Sequence, residues 1–113
     1  MAVGDRTEKR LVGPVKLTAT ANSTLGSAVA SGRAWVVKQV VFCNTDGTDR
    51  LIYFAINTTA TVDNRIFWAL PIAANDTLIW DTALVLNATD QFYGYSDTTD
   101  KVTFTAVGWE KEV

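Results

Sequence analysis

Between residues 34 and 57 the chain is apolar on both sides of any strand it could form. Trp35, Val37, Val41 and Cys43 fall on one side and Val36, Val40 and Phe42 on the other, interrupted only by Lys38 and Gln39. Successive side chains of a strand point to opposite faces, so both faces here need cover. The same holds for Leu51, Tyr53 and Ala55 against Ile52, Phe54 and Ile56. An antiparallel sheet with one wetted face alternates apolar and polar residues, so these strands predict a covering surface beyond the domain's own core. The expected cover is another subunit, with Val36, Val40, Phe42, Ile52, Phe54 and Phe67 as interface residues. Residues 45–50 read as the turn joining this central pair.

The rest of the chain repeats the theme in shorter phrases. Residues 1–10 are polar and mixed in charge, and read as a flexible basic arm in which Arg6, Lys9 and Arg10 could order on a neighbouring surface. Residues 11–113 read as a single β-sandwich domain. Pro14 belongs at a strand start or edge, and residues 15–20 alternate as a one-sided strand. Residues 24–30 read as a short edge strand, and 65–71 as another strand with two apolar faces. Asp81 and Thr82 divide two short strands at 77–80 and 84–86. Residues 91–96 and 101–110 form the last pair, with Gly108 marking a bulge or a close backbone approach. No stretch carries a sustained helical period with caps. Short strands bounded by Gly, Asn, Asp or Pro at intervals of about 8–12 residues predict an all-β antiparallel sandwich or barrel, best matched by an eight-stranded jelly roll, with an immunoglobulin-like sandwich or small barrel as the alternatives.

Composition limits the chemistry. The 113 residues are 48% hydrophobic and 19% charged, with a net charge of -2, so no global field draws the chain to nucleic acid or an anionic membrane. Nor does any apolar run approach the roughly 20 residues of a membrane helix, and the opening residues lack the build of a signal peptide. Histidine is absent, which removes the usual metal ligand and the usual neutral-pH base. The single cysteine, Cys43, reads as a small buried hydrophobe. Paired carboxylates at Asp46/Asp49 and Asp97/Asp100 could touch a hard cation, but turn chemistry explains them more simply, as it does Asn22, Asn57, Asn75 and Asn87. No enzyme, cofactor or metal site is expected. Trp80, Tyr93, Tyr95 and Trp109 could form a sugar-stacking platform or a subunit contact, whereas Trp35, Phe54 and Phe104 read as core.

The order of several phrases carries a resemblance. Leu11-Val12-Gly13-Pro14, Val40-Val41-Phe42-Cys43-Asn44, residues 72–78, Leu84-Val85-Leu86-Asn87 and residues 102–110 together resemble small virion structural proteins of tailed bacteriophages. The Pro-Ala-Gly turn usual before the central strand stands here as Ala30-Ser31-Gly32. The resemblance implies a non-enzymatic β-sandwich in the virion, made in the host cytoplasm. It further implies a homotrimer acting as a capsid decoration or cement protein, its arm touching the phage major capsid protein. The alternative is a tail-tip or fibre module that binds host-surface carbohydrate.

Overall fold

Strand follows strand through the described residues because apolar runs of strand length are repeatedly cut by residues that favour turns. The computed structural model describes residues 6–113, Arg6 by its backbone alone. Eight strands are formed: β1 (Arg6–Lys16), β2 (Thr24–Leu25), β3 (Arg33–Asn44), β4 (Arg50–Ile56), β5 (Arg65–Ile72), β6 (Thr77–Leu86), β7 (Phe92–Ser96) and β8 (Val102–Glu112). One 3-10 turn, Val62–Asn64, precedes β5. Asn22, Asn57 and Asn75 all have positive φ, at 60°, 69° and 58°. That left-handed conformation is what Asn tolerates better than most residues, so these asparagines serve turns as expected.

The strands form two four-stranded antiparallel sheets, β1-β8-β3-β6 and β2-β7-β4-β5. Pairing of β1 with β8, β2 with β7, β3 with β6 and β4 with β5 is that of one long hairpin rolled up on itself. This is the eight-stranded jelly roll expected from the strand spacing. β3 and β4, expected to pair, instead lie in different sheets, and residues 45–50 carry the chain across the sandwich rather than around a hairpin. Asn44 holds that crossing. Its buried Nδ2 donates to the carbonyl oxygens of Thr48 and Ile72, each at 3.0 Å, and its Oδ1 accepts from the Asp46 N–H.

The core is aromatic. Phe42 and Phe104 from one sheet meet Phe54 and Phe92 from the other, with ring centroids 5.1–5.6 Å apart for neighbouring pairs. Trp35 also faces inward, as expected for a core residue. So do Val40, Phe42, Ile52 and Phe54, all fully buried between the sheets, and this corrects their assignment to an outward interface. On β3 a bulge explains the error. Both ladders of β3 break register between Val37 and Gln39, so Trp35 and Val37 share the inner face with Val40 and Phe42 although their numbering parity differs. Cys43 consequently falls on the outer side and is only half buried, not a core residue. Gly108 stands opposite this break, and a Cβ there would overlap the Val36 carbonyl oxygen.

Two other expectations shift. Residues 6–10, assigned to the arm, run as the first half of β1, because β8 extends to Glu112 and offers them a ladder from Lys111 to Val107. Residues 1–5 of that arm lie outside the described residues. The two short strands expected around Asp81 and Thr82 are one continuous strand, β6.

Candidate assembly surfaces

Each sheet has an outer face, and both carry apolar side chains. On the β1-β8-β3-β6 sheet, Val36 stands between Val85 and Trp109, and Val41 between Ile79 and Thr105. Ile79 is 57% exposed and Val85 54% exposed, both on the outermost strand. Lys38, thrust outward by the bulge, places its Nζ 5.7 Å from the Trp109 ring centre. Beside it lies a groove of about 530 Å³ lined by Glu8, Lys9, Lys38, Val107, Gly108 and Trp109. Its one carboxylate, Glu8, provides no second acid for a two-carboxylate hydrolysis.

Glu110 ties one end of this sheet together. Its Oε2 accepts from Trp35 Nε1 at 3.0 Å, while its Oε1 lies 3.4 Å from Lys9 Nζ and 3.7 Å from Arg33 Nη1. The Trp35 hydrogen bond, aided by the Lys9 and Arg33 charges against a smaller cost of burial, holds its carboxyl below the usual value.

The outer face of the β2-β7-β4-β5 sheet is aromatic. Tyr53 and Tyr95, directly opposite on β4 and β7, stack with centroids 4.3 Å apart and planes 9° from parallel. Trp68 on β5 meets Tyr53 edge to face at 4.8 Å, and the Arg65 guanidinium lies 3.5 Å from the Trp68 ring centre. Arg65 is itself held by donating from Nε to the Thr59 carbonyl at 3.1 Å. Burial, reinforced by Tyr53 and opposed by Arg65, pushes the Tyr95 hydroxyl pKa up.

The residues singled out in the sequence therefore separate. Of the six expected interface residues, Val36 alone lies on an outer face. Phe67 is partly buried against the core, 5.0 Å from Trp80, and Val40, Phe42, Ile52 and Phe54 are interior. Lys9 and Arg10 are exposed on edge strand β1. Trp80, Tyr93, Tyr95 and Trp109 do not form one platform: Trp80 packs against the core, Tyr93 and Tyr95 lie on one outer face, and Trp109 lies on the other. Asp46 and Asp49 act in a turn. Asp46 accepts from Arg50 and the Gly47 N–H, and Asp49 accepts from the Ala74 N–H. The Arg50 hydrogen bond is the main reason the Asp46 carboxyl sits below its usual pKa. No group of three or more metal-ligating side chains occurs among the described residues. Sequence reasoning missed Tyr53, Trp68 and Arg65 as a cluster, since residues on two separate strands, β4 and β5, meet only after the sheet order is known. It also missed Ile79 and Val85, whose place on one exposed face with Thr77, Asp81 and Ala83 becomes visible once β6 is read as one strand.

The chain matches no protein-family model and no curated protein. Its fold is similar to that of the Tobacco streak virus coat protein in a C2 crystal form, with a TM-score of 0.52 at 9% identity over 100% of this chain and 90% of that one. A second structure, of the Tobacco streak virus coat protein dimer, gives 0.51 at 10% identity over 100% and 89%. At these identities the likeness is one of fold, spanning nearly the whole length of both chains.

Proposed function

We propose that this protein is a non-enzymatic virion structural module that works by self-association and by contact with coat subunits. The observation that carries the reading is a jelly roll shared over its full length with a viral coat protein, itself solved as a dimer. Exposed aliphatic side chains on the outer face of one sheet support it, since burying them against protein stabilises by about 25 cal/mol per Å², offset in part by the cost of association. More specifically, the protein is a phage capsid decoration or cement protein, and a homotrimer is the order the sequence resemblance implies. Exposed Lys9 and Arg10 on β1 supply the contact with the major capsid protein. Arg6, on the same strand, belongs to that contact in the sequence reading.

Electron microscopy of particles carrying the protein tests this. Density for it on the head shell is the expected result, and density confined to the tail would overturn the decoration role. The carbohydrate-binding alternative has weaker support: Tyr53 and Tyr95 each turn one ring face to the other, and Arg65 covers Trp68, which leaves less free aromatic face for a sugar ring.

A further inference from the structure

Two four-stranded sheets have four edges, and an unpaired edge is a template for another strand unless something blunts it. Three of the four are blunted. β1 breaks register with β8 twice, contains Pro14 and bears Glu8, Lys9 and Arg10. β2 is two residues long. β5 contains Pro71, bends at Ala69 with φ 52°, and breaks register twice with β4. β6 is the least protected of the four, its ladder with β3 breaking register once, between Asp81 and Leu84. It runs for ten residues with no proline, its burial alternates without interruption, and among the described residues it pairs as a strand only with β3. Its one charge, Asp81, is engaged by Gln39 Nε2 at 3.0 Å.

We propose that the β6 edge is a seam on which a second copy of this chain pairs, antiparallel and about a twofold axis, joining two β1-β8-β3-β6 sheets into one. The inference rests on the reading of the protein as a self-associating module. The occupant is a second copy because edge-to-edge pairing of two copies finds, among the described residues, only one open strand on each. The same strand must serve both sides, and the contact closes at two chains instead of growing into a fibre.

Charge and face select the register. Pairing must set outward side chains beside outward ones, which leaves axes through single residues. An axis at Asp81 places two like charges directly opposite. Axes at Trp80 or Ala83 set Ile79 or Val85 against Asp81 and shorten the ladder. An axis at Thr82 pairs residues 78–86, sets Asp81 against Ala83, and places Ile79 opposite Val85 of the second copy on both sides of the axis. The two exposed large apolar residues of the sheet then cover each other.

In this register the two copies of Thr82 face each other with Cα atoms about 4.5–5.5 Å apart, within disulfide range. In a Cys43→Ser background, Thr82→Cys should cross-link into two-chain species under mild oxidation, and Ala83→Cys should do so at least fivefold less. Light scattering of the unmodified protein at micromolar concentration should give an even number of chains. Ile79→Lys with Val85→Lys should halve that mass while leaving the melting temperature of the fold unchanged. An odd oligomer, a mass unaffected by the lysines, or cross-linking equal at 82 and 83 would overturn the seam and leave self-association standing. A persistent 12.3 kDa monomer overturns both.

Discussion

The two outer faces solve the same problem differently. On the β2-β7-β4-β5 sheet, Tyr53, Tyr95 and Trp68 cover one another, and Arg65 closes the remaining Trp68 face with a side chain anchored by Thr59. Trp68 stays 41% exposed even so. On the β1-β8-β3-β6 sheet, Ile79 and Val85 stand on an edge strand whose open side has no neighbouring strand among the described residues. Aromatic rings have the reach and edge-to-face geometry to satisfy one another across strands; short branched side chains at an edge do not. A strand apolar on both faces can therefore be completed within one chain or by a second one. The identity of the outward residue decides which.

The largest effect separates inside from outside. Phe54→Ala removes a ring in contact with Phe42, Phe92 and Phe104, and should cost about 3–5 kcal/mol in urea unfolding through lost burial and the cavity left behind. Were Phe54 an interface residue, the same change would alter oligomer mass and spare the stability of the fold.

That contrast also marks how far the sequence could be read. Turn residues and apolar runs announced β3, β4, β5, β7, β8 and the jelly roll itself, because Asn, Gly and Pro act locally, but they did not announce β1 or the continuity of β6. Which face of β3 is inside was not legible, since the alternation reverses at a bulge whose cause lies in the β8 and β6 ladders. The turn after Asn44 looks like a hairpin for a similar reason. Only the set of carbonyls that Asn44 Nδ2 reaches, Ile72 on β5 among them, reveals that the chain is crossing between sheets. Of the surfaces, Val36 was found and Trp68, Arg65, Ile79 and Val85 were not. Their significance depends on strand order, which pairwise spacing does not encode.

A smaller effect probes the self-covered face. Trp68→Ala loses the edge-to-face contact with Tyr53 and the stacking of Arg65, and should destabilise the fold by about 1–2 kcal/mol. Oligomer mass should stay unchanged. A drop in mass without a change in stability would mean that the aromatic face is also completed by a partner, and would erase the distinction between the two sheets.

The smallest effect concerns the polar clamp of the aliphatic sheet. Arg65 closes the aromatic face, and Glu110 does the corresponding work here by joining β8 to Trp35 and Arg33 on β3 and to Lys9 on β1. Its folded-state pKa lies below the ordinary 4.5, chiefly through the Trp35 hydrogen bond, so folding favours the ionised form. The stabilisation is complete above the ordinary value and disappears as pH falls through the lowered one. Glu110→Gln should therefore lower stability by about 1 kcal/mol at pH 7, modest because the carboxylate lies near the surface. The gap between the two proteins should narrow steadily below pH 4.5, as thermal melts across that range would record. A gap constant from pH 7 to pH 3 would mean that Glu110 contributes through shape and not charge, leaving the aliphatic sheet without an ionic fastening.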